Sequence, residues 1–526
     1  MTVGPTSSYD EVPYSDRCFF MTHPDHLATL AVVHGVPAPP VERCRVLELG
    51  CARGGNLLPM ALELPESSFV GVDLSVRQID EARENAARLG LTNVVLHAMS
   101  LTEIDASFGL FDYIVCHGVY SWVPEFVRER ILSICSENLS PNGLAFVSYN
   151  TYPGWHERGV VRELMLYHSR QAASPADRLA MARGFVDGLV DVLPNPASPY
   201  GSNLRTEAEL LREVSDTYLF HEFLEEENQP LYVHEFLTRA AKFGLEFVAE
   251  ARTAGLLPGL PVPAQDAISR WAVDTISREQ YLDLVCNRAF RQTVLRRSGG
   301  PAATGRSPEV IASLSVATAV IPGVPDPTIT DDSTVEFVRP GNASTASTNR
   351  PVVKAALLTL YEARPRALDF ESLWAGVAGR LADPERPDSA VGVQGRPVLL
   401  QALLQLYLTD LVDLHVRPPR PVVDVTERPV SSPYARLQAA SATRVTSLRR
   451  RSVELEEFGR AVLLQLDGTR DMNGVLDALV EETLSGRFDM RRDGEPVRDP
   501  ELIRAAFASE IEATVRRLAS EALLVG

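Results

Sequence analysis

No C-x-x-C pair occurs in this sequence. Its six cysteines, Cys18, Cys44, Cys51, Cys116, Cys135 and Cys286, are scattered along the chain. That spacing suits neither a zinc site nor a disulfide framework, and it points to a reducing cytoplasm. No apolar run reaches the length of a bilayer span, and the acidic opening MTVGPTSSYDEVPYSD has no apolar signal core, so no membrane span is expected. Positive charge is also scarce. Lys and Arg number 51 against 69 Asp and Glu, a net charge of -18, which leaves no overall positive field for phosphate backbones and makes nucleic acid a poor partner. What remains is an ordinary globular composition, 45% hydrophobic and 23% charged, in 526 residues. That length exceeds what a single core organises, and two to four domains are expected.

From Arg45 to Tyr149 short apolar runs alternate with amphipathic stretches, which is the pattern of βαβ units and a parallel sheet. RVLEL, SFVGVD, NVVLH, FDYIVC and LAFVSYN read as five strands, the last one following an Asn142-Gly143 turn. Between the second and third, SVRQIDEARENAARLG has Ser75 and Gln78 as a capping box, Ile79, Ala82, Ala86 and Leu89 on one face, and Gly90 as a stop. Residues 156–229 read as a helical insertion over the sheet's functional edge, with Leu210, Leu211, Val214 and Tyr218 at helix spacing. Two further helix-strand pairs, within Pro230–Thr253 and Gln280–Arg297, read as closing the same sheet. The expected core is therefore 1–155 with 230–298. RRSGGPAATGRSP is a linker by composition. Beyond it, 309–416 and 434–526 are each small enough for a winged-helix-like domain, and their acidity favours protein contacts over DNA.

The first strand runs into LELGCARGGN, Leu47 to Asn56. A glycine loop between strand and helix offers backbone N–H groups and a helix N-terminus to a ligand. ATP is excluded, because no lysine follows Gly55 as a P-loop requires. The order Gly50, Cys51, Ala52, Arg53, Gly54, Gly55 also fits poorly to the G-x-G-x-x-G of a dinucleotide site. S-adenosylmethionine (SAM) has no pyrophosphate, and its amino-acid end and ribose need a different loop. Asp73 ends the second strand about 20 residues beyond the glycines, where an acid accepts hydrogen bonds from ribose hydroxyls.

E-L-G-C-x-x-G-G-N resembles the first motif of class I SAM-dependent methyltransferases. Longer stretches, YDEVPYSDRCFFMTHPDHLATLA, RVLELGCARGGNLLPMA, FDYIVCHGVYSWVP, VSYNTYPGW, HEFLEEENQPLYVHEFL and QYLDLVCNRAFRQTVL, resemble methyltransferases with a regulatory domain. The best-known members of that group are bacterial lysine methyltransferases acting on outer-membrane proteins. The likeness covers about the first 300 residues strongly and the tail weakly. It implies a Rossmann-like α/β sheet, SAM as cofactor, a protein acceptor bound through the insertion and tail domains, and a possible homodimer. The expected cofactor residues are Glu48, Gly50, Cys51, Gly54, Gly55, Asn56, Asp73, Leu74, Ser100 and His117. Two departures stand out: Arg53 replaces the small serine of the family's loop, and Ser100 stands where many methyltransferases carry an acid near the adenine.

Methyl transfer from a sulfonium requires an aligned, unprotonated nucleophile in a dry site. A lysine, with a free pKa of about 10.4, must lose its proton before it attacks. Desolvation near a sulfonium favours the neutral amine, and aromatic walls hold an alkylammonium while excluding water. Tyr120 and Trp122 after the fourth strand, and Tyr149, Asn150, Tyr152 and Trp155 around the end of the fifth, are the candidates for such a wall. Asn150 is placed to accept from the amine, and His117 to act as base or cofactor contact. His23 either caps the cofactor or begins a helix. The doubled HEFL at His221 and His234 lacks H-E-x-x-H spacing and reads as core Phe223 and Phe236 beside polar faces. LRRR at 448–451 reads as a solvated face. A protein lysine methyltransferase is the leading expectation; a small-molecule O- or N-methyltransferase and a non-catalytic SAM-binding scaffold are the alternatives.

Overall fold

The computed structural model describes residues 17–252, 259–301, 303–341, 345–382, 395–492 and 495–526. The acidic opening up to Asp16, with the start of the family stretch at Tyr9, lies outside the described residues, as do Thr253, Ala302 in the linker, and Asn342 to Ser344. Two compact units form, one of Leu30–Gly305 and one of Arg17–Thr29 with Arg306–Gly526. The chain changes unit inside helix α1, Pro24–Val33.

The first unit is built on seven strands: β1 Arg45–Leu49, β2 Ser68–Asp73, β3 Val94–Ala98, β4 Phe111–Cys116, β5 Leu139–Asn150, β6 Leu245–Glu250 and β7 Phe290–Arg297, in the order β3-β2-β1-β4-β5-β7-β6. β1 to β5 are parallel, and β7 runs antiparallel to both β5 and β6. The four residues after Arg45 in β1 are all buried, as expected of a central strand covered on both faces. Strand order reverses between β1 and β4, which opens a crevice at their C-terminal ends.

The helices are α2 Leu57–Glu63, α3 Val76–Arg88, α4 Glu125–Glu137, α5 Gly154–Ser169, α6 Pro175–Val192, α7 Pro199–Glu213, α8 Asp216–Leu219, α9 Val233–Lys242, α10 Val262–Trp271 and α11 Thr275–Cys286. Gly90 stops α3 in the left-handed region, at φ +67°. Two local expectations are corrected. β5 begins at Leu139, so Asn142-Gly143 lies inside it. Leu139 pairs with Phe111, and the register slips before Tyr113 meets Leu144. The helix expected through Val214 and Tyr218 is broken, because the Ser215 hydroxyl accepts the Tyr218 N–H and starts α8 as a new cap.

β7 is tied in by charge as well as by its ladder. Arg291 is fully buried among Asp283 (2.9 Å) and Glu279 (3.0 Å), one turn apart on α11, and Glu250 (3.1 Å) on β6. Nothing in the local sequence announces this cluster.

In the second unit Ser315–Thr318 is the middle strand of a three-stranded antiparallel sheet with Leu368–Asp369 and Val412–His415, packed with helices Pro351–Ala363, Phe370–Leu381 and Gly395–Leu408. Helices Pro433–Ala439, Glu457–Gln465, Met472–Leu484 and Pro500–Ser520 enclose the terminal core around Val462, Leu479 and Val515. LRRR at 448–451 is not a solvated face. Arg449 and Arg451 reach Asp413 at 2.9 and 3.4 Å, and Arg450 is buried 4.0 Å from Asp25. Asp25 also takes hydrogen bonds from His415 Nδ1 (2.7 Å) and the Arg417 N–H (2.6 Å). Burial alone raises a carboxyl pKa; beside Arg451 and Arg449 that of Asp413 falls instead to about 2. These carboxylates are distant in sequence, so the arginine run looked unpaired.

Replacing Arg291 with methionine leaves three buried carboxylates without their common cation. The expected loss is about 3–5 kcal/mol of stability, read as a lower urea midpoint in fluorescence unfolding. An unchanged midpoint would show that the cluster does not hold β7.

Candidate functional site

The glycine loop lies at the β1–β4 crevice. Gly50 has φ +76° and donates to the Val72 carbonyl at 2.8 Å; a Cβ there would come 2.5 Å from Val119 Cγ2. Gly54 has φ +77°, and its Cβ would meet Leu58 Cγ at 2.8 Å. These two need glycine for both conformation and space. Ala52 is left-handed without being glycine, at φ +47°, and Asp73 holds it there. One Asp73 oxygen accepts the Ala52 N–H and the other the Ser75 N–H, each at 2.9 Å, while the Ser75 hydroxyl caps α3 through Gln78. Arg53 turns toward α3 and pairs with Glu81 at 3.2 Å, which explains the residue that departs from the family loop.

Glu48 on β1 is buried, and Asn56 Nδ2 donates to its Oε1 at 2.7 Å. Its Oε2 is sealed from water with no hydrogen-bond partner, and burial pushes the carboxyl up to about 8. An acid in that state is a receptor for a cation. The ammonium of an amino-acid end supplies one, so the orphaned oxygen, the glycine loop and Asp73 together fit SAM. The other expected cofactor residues differ in placement. Leu74 is 67% exposed beside Asp73, whereas Cys51 is buried against Gly71, where an added Cβ would lie 2.7 Å from its sulfur. Ser100 is half-buried and accepts the Thr102 N–H at 3.2 Å, opening a short 3-10 turn.

At the end of β4, His117 Nδ1 shares a 2.9 Å hydrogen bond with the Ser148 hydroxyl, which also accepts the Gly118 N–H. Burial lowers the imidazole to about 4, too weak a base to hold a lysine's proton at neutral pH. Its catalytic reading as a base is therefore corrected to one of position.

The aromatic wall expected from Tyr120, Trp122, Tyr149, Tyr152 and Trp155 divides in two. Neighbouring residues on a strand face opposite ways, so Tyr149 and Asn150 do not line one surface. Tyr149 stacks on Phe236 at 4.1 Å and bonds Thr293 through its hydroxyl, and Tyr120 meets Phe236 edge-on at 5.2 Å; both are core residues. Trp122 and Trp155 form an edge-to-face pair at 6.3 Å, while partly buried Tyr152 stacks on His156 at 4.1 Å and tilts against Tyr232. Asn150 donates from Nδ2 to Asn228, and its backbone N–H goes to the Ser121 hydroxyl. Its Oδ1 remains available to accept. Tyr232 and Asn228 escaped the sequence reading because only the fold brings residues 228–232 to the end of β5; His156, next to Trp155, was within its reach and was missed.

His23 begins α1. Its Nδ1 accepts the Asp25 N–H at 3.0 Å and its carbonyl accepts that of Leu27, and it belongs to the second unit. Phe223 and Phe236 are fully buried; His221 bonds Glu225 and His234 bonds Gln280.

Comparison with known proteins gives three family models in chain order: a methyltransferase domain at 46–143, a predicted methyltransferase regulatory domain at 215–297, and the PKMT C-terminal winged helix domain at 427–523. The uncharacterized protein RP789 of Rickettsia prowazekii (strain Madrid E) is 35% identical across all of this chain and 95% of its own length. The structure of PKMT2 from Rickettsia typhi in complex with AdoHcy matches with a TM-score of 0.85 at 29% identity, covering 98% of this chain and 100% of that one. A second structure of PKMT2 from Rickettsia typhi matches with a TM-score of 0.86 over the same spans. The crevice, its unmatched buried acid and these full-length likenesses agree, and the chain belongs to the SAM-dependent methyltransferases that carry a methyltransferase regulatory domain and a PKMT winged helix.

Proposed function

We propose that this methyltransferase modifies lysine side chains of a protein. The observation that carries the reading is the end-to-end correspondence with PKMT2, a protein lysine methyltransferase, through the sheet, the helical stretch and the terminal winged helix. The aromatic mouth supports it. Trp122, Tyr152 and Trp155 give a lysine stem apolar walls, and Asn150 Oδ1 takes the hydrogen bond that orients the amine. We infer that residues 156–229 cover this mouth, and that 309–416 is a second winged-helix-like module.

SAM supplies the activated methyl group. Glu48 Oε2 would hold its ammonium. Asp73, which already accepts from Ala52 and Ser75, would hold the ribose hydroxyls, and Gly50 and Gly54 set the loop's path. His117, neutral at physiological pH, fixes Ser148 and Gly118 at the end of β4. The acceptor amine loses its proton through desolvation in the aromatic mouth.

Isotope-labelled SAM incubated with the enzyme and a cell extract should place label on protein lysines. Background is small, because the chain has two lysines, exposed Lys242 and fully buried Lys354. Label found only in metabolites would sink the proposal in favour of a small-molecule acceptor; SAM binding with no transfer at all would mean a scaffold.

Asp73→Ala should weaken SAM binding by about 1–3 kcal/mol in calorimetry, and unchanged affinity would move the ribose elsewhere. SAM affinity should also depend on pH through Glu48. Its carboxyl is neutral below about 8 and must ionise to pair with the ammonium, so affinity rises as pH climbs toward that value. Glu48→Gln should flatten the profile; a flat wild-type profile would separate Glu48 from the cofactor. Tyr152→Ala should cut kcat/KM for the acceptor about tenfold through lost packing and cation-π attraction with SAM affinity intact. Normal turnover would place the acceptor elsewhere.

A further inference from the structure

Three arginines are buried among the described residues: Arg128, Arg291 and Arg450. Arg291 sits among three carboxylates and Arg450 lies 4.0 Å from Asp25. Arg128 breaks the pattern. It closes the first turn of α4, is 5% exposed, and has Nε and Nη1 sealed from water with no hydrogen-bond partner. Two residues on, Arg130 shows how the same helix treats a structural arginine: it bonds Ser133 (2.8 Å), Glu137 (3.1 Å) and the Ile104 carbonyl.

A buried guanidinium without a counter-charge is strongly unfavourable unless something arrives to match it. The Tyr120 hydroxyl is also buried and unpartnered, and Arg239 and Arg128 are the cations acting on it. Arg239, on α9, is held by Glu125 at 3.0 Å. The open groups are thus all donors, the guanidinium edge and a phenol O–H, which is the complement of a planar carboxylate.

Location suggests the source of that carboxylate. Tyr120 and Trp122 are the two ends of one 3-10 turn. The turn packs against α4, the helix that carries Arg128, while Trp122 joins Trp155 in the aromatic mouth. Between Tyr120 and Trp122, Ser121 accepts the Asn150 N–H through its hydroxyl and the Gln229 N–H through its carbonyl, at 2.8 Å each. A group seated at Arg128 is therefore mechanically joined to the residue that orients the amine.

We propose that Arg128 and the Tyr120 hydroxyl form a carboxylate-binding site that reads an Asp or Glu side chain close to the target lysine of the acceptor. The acceptor part rests on the lysine reading above; the carboxylate part does not. A chain with a net charge of -18 repels acidic acceptors in general, and one committed cation restores selectivity at a defined position.

The test pairs two lysine peptides, one with Glu beside the lysine and one with Gln, on the full-length enzyme and on Arg128→Met and Arg128→Lys. Wild type should show a KM for the Glu peptide lower by about tenfold. Arg128→Met should bring that KM up to the Gln-peptide value, and Arg128→Lys should keep part of the preference. Independently of turnover, Arg128→Met should raise the thermal midpoint, since it removes an unmatched buried charge. Sodium acetate, compared with sodium chloride at equal ionic strength, should raise the midpoint of wild type and not of Arg128→Met. Equal KM values for the two peptides overturn the acceptor assignment, and a surviving acetate shift then makes a free carboxylate the source. A lower midpoint in Arg128→Met without any acetate response overturns the site, because Arg128 is then structural. If neither peptide is methylated, the lysine reading fails while the acetate comparison still decides the site.

Discussion

The Asp73 carboxylate bridges two backbone N–H groups, Ala52 in the glycine loop and Ser75 at the head of α3, and the cleft takes its form from that bridge. Ala52 at φ +47° is in a region that costs a residue with a side chain about 1–2 kcal/mol, and the charge-assisted bond to Asp73 offsets it. Loop, strand end and helix start thereby move as one piece. Arg53 and Glu81 add a second strap between loop and α3. The acid that suits a ribose is thus also part of the wall around it, which explains how a loop with only two left-handed glycines keeps its shape.

Interior polar groups sort by whether they are matched. Around Arg291 every charge has a partner and the result is a rigid seam between β6, β7 and α11. Elsewhere in this unit the sum is left open: Glu48 retains an orphaned oxygen, and Arg128 and Tyr120 retain orphaned donors. Local agreement of sequence and fold is the rule in natural proteins, and departures from it gather where ligands act. Glu48 and Tyr120 lie near the ends of β1 and β4, while other buried atoms without a hydrogen-bond partner, such as those of Asn138, Glu207 and Tyr407, lie elsewhere.

Much of this architecture is legible in the letters. The five parallel strands follow from alternating apolar runs, the Ser75 cap and Gly90 stop of α3 from residue type, and the β6 and β7 strands from the helix-strand rhythm near the end of the domain. What escaped depends on long-range pairing. Tyr149 and Asn150 both looked like lining residues because proximity in sequence hides the alternation of a strand. The arginines at 449–451 looked solvated because Asp25 and Asp413 lie far away in sequence. The π-helical turn at Phe220–Leu224 and the break at Ser215 follow from side-chain competition for backbone groups, which hydrophobic spacing does not report.

Residues 17–29 pack with residues 306–526, and the Asp25 carboxylate accepts hydrogen bonds from His415 and Arg417. On a ribosome these residues emerge well before their partners. The beginning of α1 meets these partners only after Leu30–Gly305 has been made, and that unit can assemble as soon as β7 appears. Residues 17–29 thus close on residues 306–526, a pairing of high sequence separation whose formation is slow.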